Sequence, residues 1–195
     1  MYMFKEIKNQ LTTAFYLLIL LTILTGVLYP LTITALAQLF FPNEANGSII
    51  EKNGIKIGSA LIGQNFSSPK YFWGRKSVTL PFPYNGEASS GSNSGPSNIT
   101  FLDIIKKRVD EIKGNDLLNS DLIPVDLVTA SGSGLDPEIS PYAALYQVKR
   151  VAVARNISED KIRDLIYLNI IERSLYLFGE PRINVLQLNL ALDNL

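Results

Sequence analysis

The chain has 195 residues, 18 of them basic and 18 acidic, and it contains neither histidine nor cysteine. Those absences exclude Ser-His-Asp catalysis, histidine-ligated metals, thiolate nucleophiles, zinc–thiolate sites and disulfide frameworks. The even charge balance also leaves no basic face for nucleic acid.

The run from Asn9 to Asn43, between Lys8 and Glu44, carries no charge, and twelve of the 20 residues from Ala14 to Ile33 are Leu, Ile, Val or Phe. A 20-residue helix rises roughly 30 Å, the thickness of a hydrocarbon core. Its apolar side chains contribute about −4 to −7 kcal/mol toward insertion. The segment reads as a transmembrane helix. A cleaved signal peptide is the first rival, since Ala35-Leu36-Ala37 offers a small-residue cleavage pattern. The apolar run is longer than a signal peptide's, about 7 to 15 residues. A buried helix of a soluble protein ranks last, because one face of such a helix usually meets water. The expected organisation is a short cytoplasmic N-terminus at 1–10, the helix and its interfacial end at 11–41, and a soluble domain at 42–195. Lys5 and Lys8 against Glu6 place the N-terminus inside and the domain outside by the positive-inside rule.

Within the span, Thr22, Thr25, Gly26, Tyr29 and Pro30 gather small, hydroxyl-bearing and helix-loosening residues along one side. That is a face another transmembrane helix can approach closely, with a lone anchor carrying scattered Thr as the plain alternative. Pro30 lacks an amide hydrogen and is expected to loosen the bond back to Gly26.

Beyond Pro42, Ile49-Ile50 and Ile55-Lys56-Ile57 flank Asn53-Gly54, a hairpin signal. From Phe66 to Pro83, rings including Tyr71, Phe72 and Trp73 alternate with prolines; they are either core beneath a loop or a partner surface. Ser89 to Asn98 reads as a linker, or else as an ordered loop whose hydroxyls and amides meet a partner. Thr100 is expected to cap a helix ending at Gly114, and Pro124 to Ala130 reads as a strand. Ser140 and Pro141 open a second helix that Asn156 stops. Ser158 opens a third helix running to Gly179. Arg182 to Leu192 reads as a closing strand, completing an α+β domain.

No phosphate-binding motif is present. Asp136 and Glu138, beside Ser131 and Ser133, offer oxygens to a hard cation, although such pairs more often serve as a helix cap and a surface charge. Asp126 is either an edge residue or a hydrogen-bonded structural carboxylate. No constellation amounts to a catalytic site.

Several stretches taken together resemble the KdpC family, the C subunit of the bacterial Kdp potassium-transporting P-type ATPase. They are Gly58-Ser-Ala-Leu-Ile-Gly-Gln-Asn-Phe66, Tyr71-Phe72-x-Gly74-Arg75, Ala88-Ser89-x-Gly91-Ser92-Asn93 and the run from Pro124 to Asp136. The resemblance continues through Gln147 and Arg150-Val151-Ala152-x-Ala154-Arg155 to Asn184-Val185-Leu186 and Leu188-Asn189-Leu190-Ala191-Leu192-Asp193. Lys76, Ser90 and Glu138 depart from the family's usual residues. The resemblance implies a non-catalytic, single-span inner-membrane subunit. Its partners would be a channel-like potassium-binding subunit, a P-type ATPase subunit and a small membrane peptide, with the domain periplasmic. It further implies a catalytic chaperone that raises ATP affinity, with a nucleotide contact proposed at the position of Gln147. The topology read above puts Gln147 on the side opposite ATP and favours an indirect effect. Tyr71, Phe72, Trp73, Arg75, Ser92, Asn93, Ser131, Ser133 and Asp136 are the expected partner surface. A membrane-anchored protein binding a small ligand or cation outside the cell is the second hypothesis.

Overall fold

The computed structural model describes residues 2–117 and 119–195, leaving Met1 of the expected N-terminal tail outside the described residues. The chain divides into two units, Met1–Ser48 and Ile49–Leu195.

The first unit is a continuous helical rod from Tyr2 to Phe40, long and apolar enough to cross a membrane and with none of its apolar window buried inside the chain. Helix α1 (Tyr2–Ile23) passes through one π-helical turn at Leu24–Leu28 into α2 (Tyr29–Phe40). The cause is Pro30, which offers no amide hydrogen to Gly26. The backbone widens just before it, and the Tyr29 amide reaches back to the Leu24 carbonyl instead. Phe41 ends the rod, and a short helix α3 (Pro42–Ala45) follows. Asn46 closes this corner by exchanging two 3.2 Å hydrogen bonds with the Gln38 amide.

The second unit begins with the expected hairpin, β1 (Ile49–Lys52) antiparallel to β2 (Ile55–Ser59), with a bulge at Ile50/Glu51. Asn53 and Gly54 turn it with φ of 54° and 76°, the left-handed pair that an Asn-Gly turn supplies. From Ala60 to Asn98 the chain has no helix or strand. Helix α4 (Ile99–Asn115) is capped by Asn98, whose Oδ1 accepts from the Phe101 amide at 3.1 Å, and not by Thr100. Thr100 already lies inside the first turn.

The expected strand at Pro124–Ala130 is instead a four-residue helix, α5 (Val125–Val128). Its Val-rich composition favours a strand, but tertiary contacts override that preference. Asp126 Oδ2 accepts from the Ser140 amide at 2.8 Å, which makes it the structural carboxylate of the two readings. Strand β3 (Glu138–Ile139) pairs antiparallel with β4 (Ile183–Asn184). Ser140 caps α6 (Pro141–Tyr146) through the Ala143 amide. Gln147 then interrupts the helix, and α7 (Val148–Arg155) continues to a left-handed stop at Asn156.

Helix α8 (Glu159–Leu168) ends well before Gly179. Residues 169–182 form an excursion in which Ile171 bridges Arg182 and Ser174 bridges Phe178. The last segment is helix α9 (Val185–Leu192), not a strand, with Asn184 capping it through the Gln187 amide. Five of its eight residues are buried, so an almost continuous apolar run disguises the helical period. These helices and the two small sheets make an α+β domain. Its core joins Phe72 and Trp73 to Leu127, Ile139, Val148, Val151, Ile162, Ile166, Ile183, Leu188 and Leu192.

Candidate functional site

The irregular segment enters the core at Phe72 and Trp73, which are 0% and 4% exposed. The irregular backbone there carries two amides and two carbonyls away from water, and each must find a partner. Two side-chain amides provide them. Asn189 on α9 accepts from the Phe72 amide at 2.8 Å and donates to its carbonyl at 3.0 Å. Gln147, between α6 and α7, does the same for Trp73 at 2.8 and 3.1 Å. Each clamp imitates the two-bond pairing of a neighbouring β-strand.

Gln147 is also bonded to the Ala143 carbonyl and to the Arg150 guanidinium, so its oxygen accepts twice and its nitrogen donates twice. An amide has two hydrogens and two lone pairs, and all are used. Arg150 is only 6% exposed, stands 4.0 Å from the centre of the Trp73 ring, and donates to the Pro69 and Tyr71 carbonyls. Burial pulls its pKa down to about 10 despite the attraction of Asp116. Arg108 stands 5.4 Å from the same ring. At the outer edge Arg155 lies 4.8 Å from the Tyr71 ring and pairs with Asp193 at 2.6 Å, to which the Tyr71 hydroxyl also donates.

The Ser/Gly loop that follows α5 is tied to the same irregular segment. Ser131 is buried and its amide donates to the Lys76 carbonyl. The Ser133 carbonyl accepts from the Ser90 amide and the Ser89 hydroxyl. This holds the start of the Ser89–Asn98 stretch against the domain, which makes it an ordered loop and not a free linker. Ser92 and Asn93 are exposed. Asp136 binds Arg75 at 3.0 Å and caps the Glu138 amide, and Glu138 binds Arg182 at 2.9 Å. Both carboxylates that could have offered oxygens to a cation are therefore paired with arginines. Among the described residues no three acidic groups gather to hold a metal.

The expected partner surface thus separates. Tyr71, Arg75, Ser92, Asn93, Ser133 and Asp136 retain exposure, whereas Phe72, Trp73 and Ser131 lie inside the domain. In the helix, Thr22, Thr25, Gly26, Tyr29 and Pro30 are all exposed. The Thr25 hydroxyl donates to the Leu21 carbonyl at 2.7 Å and keeps its lone pairs for another donor. The sequence did not single out Asn189 as a clamp, because 182–192 reads as a strand. Read as a helix, Val185, Leu188, Asn189 and Leu192 share one face, and a polar residue there signals a buried partner.

The family described as K+-transporting ATPase, c chain, matches residues 11–194. A potassium-transporting ATPase KdpC subunit of Polynucleobacter asymbioticus is 55% identical over 186 residues, covering 95% of this chain and 98% of its own. Counterparts of that name from Methylococcus capsulatus and Herpetosiphon aurantiacus are each 54% identical, over 96% and 91% of this chain and 98% and 92% of their own. With nearly its whole length matched, clamps and Ser/Gly loop included, the chain belongs to the KdpC family, the c chain of the K+-transporting ATPase.

Proposed function

We propose that the chain is a non-catalytic subunit of an ATP-driven potassium uptake complex, and that it acts on the ATPase subunit without touching nucleotide. The full engagement of the Gln147 amide carries this reading: a nucleotide contact there would break hydrogen bonds to Trp73, Ala143 and Arg150. In this reading the Tyr2–Phe40 helix docks in the bilayer beside other subunits, with the Thr22–Pro30 side as its packing face. The N-terminus is cytoplasmic and the domain at 42–195 extracytoplasmic, against a channel-like potassium-binding subunit. The chain then raises ATP affinity as a catalytic chaperone, by contacting one conformational state of the assembly more favourably than another.

The excursion after α8 supports a role against a protein partner. Leu175, Tyr176 and Leu177 are 84%, 90% and 71% exposed in sequence, a density of free apolar side chains that isolated domains seldom present.

Two measurements test the reading. Affinity purification of the full chain in mild detergent is expected to bring down a P-type ATPase subunit; recovery of a solitary monomer overturns the assignment. The chain has no cysteine, so a single Val153→Cys on the exposed side of α7 reports topology. A membrane-impermeant maleimide is expected to label it in intact spheroplasts. Labelling only after permeabilisation reverses the orientation and reopens nucleotide contact.

A further inference from the structure

A cavity of about 170 Å³ lies beside the Trp73 ring, lined by Arg75, Lys76, Tyr84, Arg108 and Glu111 among others. Its charges do not balance. Three cations face one carboxylate, Glu111, and that carboxylate is already held by Arg108 at 2.9 Å. Asp136, the partner of Arg75, is not part of the lining. Lys76 is exposed and makes no ion pair among the described residues.

One donor is also left over. Arg75 uses Nη1 on Asp136 and Nη2 on the Ala130 carbonyl, while its Nε is buried without an acceptor. Buried donors are rarely left unpaired, and Arg75, whose side chain lines this cavity, carries one. Tyr84, whose hydroxyl donates to the Arg75 carbonyl, also lines the cavity, and burial pushes its phenol up to about 12, against the lowering effect of Arg108 and Arg75. In such surroundings a charge-assisted hydrogen bond is stronger than in open water.

We propose that this cavity binds a small free oxyanion of the phosphate or sulfate class, held by Arg75, Lys76 and Arg108. Size limits the ligand. Pockets for drug-sized molecules run to about 300–1,000 Å³, whereas a water molecule's share of the liquid is about 30 Å³. The cavity therefore holds a tetrahedral ion with some of its water, and a nucleotide is too large. Asn65 and Ser67 add an exposed amide and hydroxyl as further donors. The site stands independently of the subunit reading, since it rests on the domain's own cavity.

Inorganic phosphate is the probe. Equilibrium dialysis of the full chain in detergent with labelled phosphate, against sodium chloride at matched ionic strength, is expected to show one saturable site per chain. Trp73 is the sole tryptophan and lines the cavity, so its fluorescence is expected to change over the same concentrations. Lys76→Gln leaves the backbone contacts intact and is expected to weaken binding about tenfold, the loss of one charge-assisted hydrogen bond. Arg75→Lys, which keeps a cation for Asp136 but removes Nε, is expected to weaken it comparably. Binding no greater than the chloride background overturns the proposal, as does unchanged affinity in both variants. ATP displacing phosphate at lower concentration than phosphate itself also overturns it.

Discussion

Residues 60–98 and residues 141–192 build the same core by different means. The later segment is mostly helical, so its backbone groups pair locally and its side chains are free to pack. The earlier segment has no ladder or helix, and side chains, its own and those of later elements, must serve its backbone. Gln147 and Asn189 clamp Trp73 and Phe72, Arg150 gathers the Pro69 and Tyr71 carbonyls, and Ser77 accepts from the Tyr84 amide while donating to the Gly134 carbonyl. A helix can lose one side chain and keep its hydrogen bonds. The irregular segment loses backbone satisfaction with each polar side chain removed.

That contrast predicts two large effects of different origin. Leu188→Ala, at a position with no exposure, leaves a cavity in the helical half and is expected to cost about 2–5 kcal/mol. Gly134→Ala strikes the irregular half through its backbone. Gly134 has φ of 70°, and an added Cβ would stand 2.6 Å from the Ser90 carbonyl oxygen and from the Thr79 methyl carbon. Left-handed strain and overpacking together are expected to cost about 2–5 kcal/mol. Thermal unfolding of the full chain in detergent, followed by near-ultraviolet dichroism, measures both. Neither is expected to leave the other half folded, because Phe72 and Trp73 lie in the same core as Leu188.

Gln147→Ala separates the two halves more sharply. It removes no large apolar group, yet it strips partners from the Trp73 amide and carbonyl and from Arg150. Leaving those buried groups unpaired is expected to cost about 2–4 kcal/mol. Hydrogen exchange is expected to accelerate first at the Trp73 amide. Unchanged protection there would mean that the clamp is not what holds the segment.

The hairpin was legible in the sequence because Asn53-Gly54 specifies its turn through backbone geometry alone. The ends of the second helix, though not its break at Gln147, were legible because Ser140 caps it by its side chain, Pro141 suits a first turn and Asn156 takes a left-handed stop. Local chemistry was silent where a distant partner decides: Val125–Val128 becomes helical although its residues favour a strand, and Asp126 pairs with Ser140, fourteen positions away. The α9 helix was hidden by being apolar on nearly all sides. Phe72 and Trp73 belong to a segment with no period at all, so core and partner surface both stayed open for them. The motifs that carry the family resemblance include both ends of the Phe72–Asn189 contact and the Gln147–Arg150 pair, roles that only the folded chain displays.

The smallest effect is the one that tells stability from assembly. Leu175 and Tyr176 hold φ of 53° and 59°, a left-handed pair that Asn-Gly adopts readily and that Leu and Tyr do not. Both side chains project almost wholly into solvent, so the fold gains nothing from their identity. Replacing Leu175-Tyr176 with Asn-Gly is expected to stabilise the chain by about 1–2 kcal/mol, relieving strain without opening a cavity. If the tip meets a partner subunit, the same variant loses co-purification with the ATPase even as its melting temperature rises. Phe178→Asp, at a 61% exposed position, is expected to lose assembly with stability changed by less than about 0.5 kcal/mol. A stabilised variant that still assembles would show that the strained apolar turn is not a docking element.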